Sequence, residues 1–292
     1  MRYAAIDIGS NAVRLLIADI NRDDKDITFK KNTLLRVPVR LGDDAFVDKW
    51  ISKRKTEDLC KTMLAFRNLM DVYCVEEYMA CATSAMREAG NGDEVVSKVK
   101  EFANVDINIV GGQTEASIIY ANKMEKYLDM NKNYLFIDVG GGSTELSVFS
   151  EGKIEVSRSF NLGTIRILDN LDKDETWQDM KEWIKQHVKK YKSLSAIGTG
   201  GNINKLFKMS EEKEGKALSF SKLKDLYNNL SSYSLRDRIN VLGLNPDRAD
   251  VIIPASEIYL TVMKSAMIKQ IYVPRLGMAD GIIQVLIERN LK

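Results

Sequence analysis

The sequence has few of the residues that build soft metal sites, with one histidine and three cysteines among its 292 residues. Cys60, Cys74 and Cys81 are odd in number and lack the C-x-x-C spacing of zinc and redox sites. Free thiols of this kind are typical of a reducing compartment, which predicts a cytoplasmic protein. Metal binding through sulfur and imidazole ligands is not expected.

An excess of one charge and long apolar runs are also missing. Lysine plus arginine number 43 against 41 acidic residues, so the net charge of +2 predicts neither nucleic acid nor an anionic membrane as partner. No apolar run reaches the roughly 18 residues of a membrane span, and the first residues do not form a signal peptide. With 45% apolar and 29% charged residues, the composition predicts a globular protein long enough for two modest domains.

The most informative stretch lies at residues 136–146, where an apolar strand ends in Asp138 and three glycines follow. Glycine tolerates positive φ, so this turn is expected to bring consecutive main-chain N–H groups together as an anion site. Asp138 and Glu145 then lie near the same phosphate, where their oxygens can hold a divalent cation. A plain glycine hairpin followed by a solvated acidic residue is the alternative.

The N-terminal residues repeat this plan. An apolar strand ends in Asp7, a turn of small residues follows at 9–11, and a second apolar strand returns. Two copies of a strand–Asp–turn–strand unit, about half a chain apart, indicate an internal duplication. We expect the two halves to face each other across a cleft that holds a phosphate group.

The remaining pattern places three strands at the start of each half, near 3–8, 12–20 and 27–37 and near 133–138, 143–151 and 153–161. The boundary is placed within 120–130, which gives domains 1–124 and 125–292, with the last helix, about 279–292, free to pack back on the first. No Pro/Gly linker occurs there, which indicates a hinge. Pro254 is expected to divide two helices, and a third glycine turn at 198–202 to join a strand to a helix.

Several motifs, in their order along the chain, resemble those of the exopolyphosphatase/guanosine pentaphosphate phosphohydrolase family of the actin-like ATPase superfamily. They lie at residues 5–11, 82–87, 115–120, 138–146, 159–166 and 248–250. The resemblance covers almost the whole chain and is to the short, two-domain form. It implies an α/β fold of two duplicated ribonuclease H-like (actin-like ATPase) domains, each a mixed sheet flanked by helices, with an interdomain cleft.

The resemblance also implies roles for individual residues. Glu115 matches the proposed general base, and Asp7, Asp138 and Glu145 match carboxylates near a Mg²⁺ or Mn²⁺ ion. The matched phosphate-binding positions are two turns and an arginine after the fourth strand: Ser10, Asn11, Arg14, Arg87, Gly140, Gly141, Gly142, Ser143 and Thr144. The implied ligand is inorganic polyphosphate or guanosine pentaphosphate. The sequence leaves the assembly open, with a homodimer among the options.

Some positions depart from the family pattern. Thr114 replaces the first glutamate of a Glu-Glu-Ala motif, and Gly111 stands where serine is usual. Ala279 replaces an arginine, which bears on processivity and chain-length preference. Arg166 and Arg248 fit a salt bridge and a ligand contact equally well.

The preferred hypothesis is a phosphohydrolase that releases terminal phosphate from polyphosphate, guanosine pentaphosphate or both, with Glu115 activating a water molecule. A kinase or ATPase of the same superfamily is the first alternative, and it would use the 198–202 turn to hold adenosine. A sensor that binds the same ligands without efficient turnover is the second. The departures at Thr114 and Ala279 keep the sensor open.

Overall fold

The structure, a computed structural model, describes residues 1–23, 26–122, 129, 131–191 and 193–291. The chain divides into two compact units, Met1–Asn122 with Met278–Lys292 and Lys123–Gly277. The predicted boundary at 124/125 and most of the predicted hinge lie outside the described residues, and both remain predictions. Within the described ranges, no helix combines the length and apolar character needed to cross a membrane.

The first unit is built on a mixed sheet with the strand order β3-β2-β1-β4-β5. Its strands are β1 (Arg2–Ile8), β2 (Val13–Asp23), β3 (Asp26–Val37), β4 (Glu77–Ala82) and β5 (Ile107–Ile109). The first three form the predicted antiparallel meander, whereas β4 runs parallel to β1 and β5 parallel to β4. The helices of this unit are α1 (Leu41–Ala45), α2 (Lys53–Val72), α3 (Ser84–Glu88), α4 (Gly92–Ala103), α5 (Gly112–Tyr120) and α13 (Met278–Leu291).

The second unit has a mixed sheet with the strand order β10-β11-β9-β6-β7-β8. Its strands are β6 (Asn133–Val139), β7 (Thr144–Ser150), β8 (Lys153–Phe160), β9 (Leu194–Thr199), β10 (Leu218–Ser219) and β11 (Gln270–Tyr272). Its helices are α6 (Thr164–Leu168), α7 (Asp174–Val188), α8 (Gly201–Met209), α9 (Phe220–Ser232), α10 (Leu235–Asn240), α11 (Pro246–Ala249) and α12 (Ile252–Ser265).

The predicted duplication is confirmed by the strand order. β6, β7 and β8 repeat the antiparallel meander of β1, β2 and β3, and β9 lies parallel to β6 as β4 lies parallel to β1. β11 lies parallel to β9 as β5 lies parallel to β4, and the short strand β10 pairs antiparallel with β11 as a sixth strand that the described residues of the first unit do not show. The predicted architecture of two mixed sheets flanked by helices is therefore confirmed.

The core of the first unit lies between the sheet and the helices α5 and α13. Alternating apolar residues of β1 and β2 pack against Ile282 and Ile283 of α13, and all of these side chains are buried. Gly281 lets this helix approach α5 closely, because an added Cβ would lie 1.9 Å from the main-chain oxygen of Ile118. Ala279, at the position that departs from the family pattern, is buried in the same cluster.

The core of the second unit is organised by α12, which carries the buried residues Ile258, Tyr259, Val262 and Met263. The prediction that Pro254 divides two helices is wrong. α11 ends at Ala249 and α12 begins at Ile252, so Pro254 lies in the first turn of a continuous helix. A main-chain N–H in the first turn has no partner within its helix, so proline costs little there.

The close approach of α13 to α5 gives a test of the packing. Gly281→Ala should lower the free energy of unfolding by about 1–3 kcal/mol, the usual cost of overpacking, because the new methyl group meets main-chain atoms that cannot move aside. Gly277→Ala is the matched control, since its added Cβ would meet nothing within 4 Å. Urea unfolding measures both variants. Equal stability of Gly281→Ala and the parent protein would contradict this account.

Candidate active site

The first turn is closed by a hydrogen bond from the N–H of Gly9 to the oxygen of Ala12, at 3.1 Å. β1 brings Asp7 to the edge of this turn, and Arg14 lies directly opposite Asp7 on β2. The Arg14 guanidinium donates to Oδ2 of Asp7 at 2.6 Å, and Asp7 is only 5% exposed. The first aspartate is therefore neutralised by an ion pair with the strand that follows it.

The second turn is closed by the same kind of main-chain hydrogen bond, but the residue opposite its aspartate is acidic rather than basic. The N–H of Gly140 donates to the oxygen of Ser143 at 2.9 Å, and Glu145 lies directly opposite Asp138. Side chains that face each other in an antiparallel pair have Cβ atoms about 4.5–5.5 Å apart, and like charges there are destabilising. The second turn therefore carries two carboxylates where the first carries an ion pair.

Neutral hydroxyl groups orient both carboxylates. Ser143 and Ser159 donate to Oε1 of Glu145 at 2.6 and 2.8 Å. Thr199, at the end of β9, donates to Oδ1 of Asp138 at 2.7 Å. A hydroxyl donor restricts the orientation of a carboxylate without cancelling its charge.

Thr199 is itself held from α12. The hydroxyl of Tyr259 donates to the main-chain oxygen of Thr199 at 2.6 Å, and Tyr259 is 1% exposed. A buried tyrosine hydroxyl is costly unless it is hydrogen-bonded, so this contact is part of the core. Burial raises the pKa of Tyr259 well above its ordinary value, and the negative charge of Asp138 acts in the same direction.

The glycines of the second turn do not have the conformation that the sequence predicted. None of Gly140, Gly141 and Gly142 has a positive φ, so left-handed backbone is not the reason for them. Close contact explains a different glycine, Gly163, where an added Cβ would lie 2.4 Å from the main-chain oxygen of Gly141. The N–H of Ile165 donates to that same oxygen at 2.8 Å.

The main-chain oxygens of the second turn point at the start of α6. Thr164 donates its N–H to the oxygen of Gly140, and Arg166 donates its guanidinium to the oxygen of Gly142 at 2.6 Å. In contrast, within the described chain no group accepts a hydrogen bond from the N–H of Gly141, Gly142 or Ser143. Three consecutive N–H donors without a protein acceptor form the kind of site that binds a phosphate oxygen.

The first turn is braced in the same way. The oxygen of Ser10 accepts from the N–H of Gly42 at 2.8 Å, and the oxygen of Asn11 accepts from Arg40 at 3.1 Å. The hydroxyl of Ser10 is buried and lies 2.9 Å from the hydroxyl of Ser84. The equivalent segments after β3 and β8 therefore bind the carbonyl side of their turns.

Arg87 and Glu115 lie at neighbouring ends of two helices in the first unit. Arg87 on α3 donates to the main-chain oxygen of Val110 at 2.7 Å, just before α5 begins. Glu115 is in the first turn of α5, its N–H donates to the oxygen of Gly111, and its side chain is 8% exposed. The arginine therefore braces the junction from which the glutamate projects.

Residues 33–290 match the Ppx/GppA phosphatase family. The chain belongs to this family. The bifunctional 3-dehydroquinate synthase/phosphatase of Fusobacterium nucleatum is 32% identical over 273 residues, which are 86% of this chain and 41% of that protein. This chain therefore spans less than half the length of that relative. Exopolyphosphatase 1 of Mycobacterium leprae is 24% identical over 97% of this chain and 88% of its own length.

A solved structure confirms the fold. The exopolyphosphatase from Cytophaga hutchinsonii superposes with a TM-score of 0.87 at 22% identity, covering 99% of this chain and 98% of its own. At that identity the likeness shows the fold alone. It supports the predicted fold of two mixed sheets flanked by helices.

Sequence reasoning missed residues that hold the predicted ones. The sequence predicts only a connecting turn at Thr199, although Thr199 orients Asp138. It places Ser159 in a motif without predicting a role, although Ser159 donates to Glu145. The contact between Thr199 and Asp138 follows from the parallel pairing of β6 with β9, which places the two residues side by side. Thr144, predicted to bind phosphate, donates its buried hydroxyl to the oxygen of Leu162 at 2.6 Å, which leaves only its main chain for that purpose.

Cys81 lies beside Asp7 on β4 and occupies the position that Thr199 has beside Asp138. Burial, with the negative charges of Asp7 and Glu115 acting in the same direction, raises the pKa of the Cys81 thiol from 9.0 to about 12. Cys60 is also buried, whereas Cys74 is exposed. The thiol of Cys81 is therefore held in its neutral form.

The shift at Cys81 predicts selective alkylation by iodoacetamide at pH 8. Raising a thiol pKa from 9.0 to about 12 lowers the reactive thiolate about a thousandfold, and burial blocks access as well. Cys74 should react first in the native protein, and Cys74→Ser should remove that fast phase. Peptide mass spectrometry measures each site. Rapid labelling of Cys81 without unfolding would contradict the prediction.

Proposed function

We propose that this chain is a metal-assisted phosphohydrolase that releases terminal phosphate from inorganic polyphosphate, with guanosine pentaphosphate as a second substrate. The observation that carries the proposal is the second turn. Its N–H groups at Gly141, Gly142 and Ser143 offer donors for an anion, and Asp138 and Glu145 offer acceptors for a cation beside them. A phosphate–metal complex needs both kinds of group together.

The two turns bind phosphate in different ways under this proposal. In the second unit, phosphate oxygens accept from the main-chain N–H groups of Gly141, Gly142, Ser143 and Thr144. In the first unit, Ser10 and Asn11 offer their main chain and Arg14 its charge. The ion pair with Asp7 at 2.6 Å orients Arg14, so we assign Asp7 to that guanidinium rather than to the metal.

The metal assignment rests on the chemistry of the donors. Carboxylate oxygens are hard ligands that suit Mg²⁺ and Mn²⁺, and a divalent cation would relieve the repulsion between Asp138 and Glu145. When bound, the ion would neutralise charge on the transferred phosphoryl group. One oxygen of Asp138 accepts a hydrogen bond from Thr199, and one oxygen of Glu145 accepts from Ser143 and Ser159. These bonds hold both carboxylates in a fixed orientation before the ion binds.

Glu115 is assigned as the general base. A buried carboxylate can accept a proton from water and aim its oxygen at phosphorus, a contribution usually worth about 10²–10⁴-fold in rate. Arg87 is assigned to the substrate chain, where its charge offsets that of successive phosphates. The hydrogen bond from Arg87 to Val110 also couples its position to the start of α5.

Two rival functions predict different assay results. A kinase or ATPase would release phosphate from ATP in preference to polyphosphate, and a sensor would bind polyphosphate tightly with little or no release. Phosphate release from long polyphosphate, guanosine pentaphosphate and ATP should therefore be measured in parallel with Mg²⁺, alongside equilibrium binding. The homodimer stays a prediction, which the mass of the protein in solution would test.

The base assignment predicts the effect of Glu115→Gln. Turnover on polyphosphate should fall about 10²–10⁴-fold, because the amide cannot accept the proton from water. The dissociation constant for polyphosphate should stay within a few fold, since no phosphate contact is lost. Glu101→Gln, on the exposed face of α4, is the control and should be neutral. Undiminished phosphate release by Glu115→Gln would overturn the assignment.

The metal assignment predicts graded losses of Mn²⁺ binding without substrate. Asp138→Asn should abolish measurable binding because it removes a ligand charge. Thr199→Val should weaken binding about 10- to 100-fold, the usual effect of removing a group that orients a ligand, and Thr199→Ser should restore it. Electron paramagnetic resonance measures free Mn²⁺ directly, with Thr176→Val on α7 as control. Full Mn²⁺ affinity in Asp138→Asn would rule out this ligand.

A further inference from the structure

A second binding surface lies in the second unit, in a groove of about 860 Å³ beside the C-terminal ends of α7 and α12. Residues from both helices and from the chain around the start of β9 line it, among them Lys181, Lys185, Lys189 and Lys264. Four of these residues are lysines, and none is acidic. We call this surface the lysine groove.

The carboxylate next to this groove, Glu155, accepts a hydrogen bond from Tyr191 and is paired with Lys190 rather than with a groove lysine. Lys181 and Lys185 lie four residues apart on one face of α7, Lys189 follows at the same interval as the C-cap residue, and Lys264 reaches the groove from α12. Within the described ranges, none of the four takes part in an ion pair. Like charges at this spacing destabilise a helix, so an anionic ligand in the groove would remove a repulsion.

Helix dipoles explain only part of this arrangement. A lysine at the C-terminal end of a helix is favourable because that end carries partial negative charge, and this covers Lys185, the C-cap residue Lys189 and Lys264. Lys181 lies a full turn earlier, outside the range of that effect. The dipole also gives no reason for lysines of two different helices to converge on one groove.

The floor of the groove is apolar, which limits the kind of anion that fits. Val188 and Ala266 are buried there, and Leu194 and the ring of Tyr191 are half-buried. Met267, at the rim, is 83% exposed. Methionine and tyrosine both make favourable contacts with flat aromatic groups. A ligand that carries several negative charges and one flat apolar group would use the whole surface, whereas a bare phosphate chain would use only the lysines.

The lysine groove is separate from the candidate active site. It touches Leu194, the first residue of β9, whereas Thr199, the last residue of β9, contacts Asp138. Five residue steps along a strand span about 17 Å. One small ligand in the groove therefore does not reach the carboxylates.

We propose that the lysine groove binds a nucleoside polyphosphate, with the phosphates among the four ammonium groups and the base against the floor at Leu194 and Tyr191, beside Met267 at the rim. Each phosphate group carries about one to two negative charges, so a nucleoside triphosphate matches four lysines. The volume of about 860 Å³ lies within the range of small-molecule sites. This inference does not depend on the proposed phosphohydrolase activity, since it concerns binding at the other end of β9.

Equilibrium binding of the β,γ-imido analogue of ATP, with EDTA present, tests the proposal without turnover or metal. Lys185→Glu with Lys264→Glu should weaken binding at least tenfold. Lys222→Glu with Lys224→Glu makes the same change of net charge on exposed positions of α9 and should stay within twofold of the parent protein. The neutral pair Lys185→Gln with Lys264→Gln, which adds no repulsion, should still weaken binding at least threefold.

The outcomes separate the proposal from charge effects at large. Affinity in the groove variants equal to that of the α9 control would overturn the site. Groove binding, taken as the binding that Lys185→Glu with Lys264→Glu removes, should be at least tenfold weaker for tripolyphosphate than for the nucleotide analogue, because tripolyphosphate cannot use the apolar floor. Equal affinity for tripolyphosphate would overturn the nucleoside part and leave a surface that recognises charge alone. Calorimetry gives both the affinity and the stoichiometry of one nucleotide per chain.

Discussion

The residue that faces the aspartate on the returning strand decides what each turn can bind. In both units this residue lies seven positions further along the chain, Arg14 opposite Asp7 and Glu145 opposite Asp138. An arginine there gives a neutral pair whose guanidinium is already oriented at 2.6 Å. A glutamate there gives two carboxylates that repel at short range. One register position thus makes the first turn suited to an anion and the second suited to a cation beside an anion.

The neighbour of each aspartate on the parallel strand also differs between the two units. Cys81 lies beside Asp7 and Thr199 beside Asp138, each on the parallel strand. The aspartate that already has a guanidinium has a neutral thiol as its second neighbour, since burial raises the thiol pKa to about 12. The aspartate that faces a glutamate has a hydroxyl donor at 2.7 Å. A donor is needed more where no arginine sits opposite, because a carboxylate buried without hydrogen bonds is costly.

Local features of the fold could be predicted from the sequence, and contacts between distant segments could not. The strands and the turn after Asp138 depend on residues that are adjacent in sequence, so apolar runs and glycines are sufficient to predict them. The contact from Thr199 joins residues 61 positions apart and depends on which strand pairs with β6. The positive φ expected of Gly140, Gly141 and Gly142 is not observed, and the glycine that the structure explains is Gly163, which lies against the oxygen of Gly141 from a separate segment after β8.

The two turns differ in charge but have the same pattern of main-chain hydrogen bonds. Gly9 donates to Ala12 as Gly140 donates to Ser143, and segments after the third strand bind the turn oxygens in both units. These contacts involve main-chain atoms, so they place few demands on the side chains that flank the aspartate. After a duplication, changes at the two flanking positions alter the charge of the site while the turn keeps its shape. Divergence of function therefore requires little change of fold, because the backbone carries the geometry and the flanking side chains carry the charge.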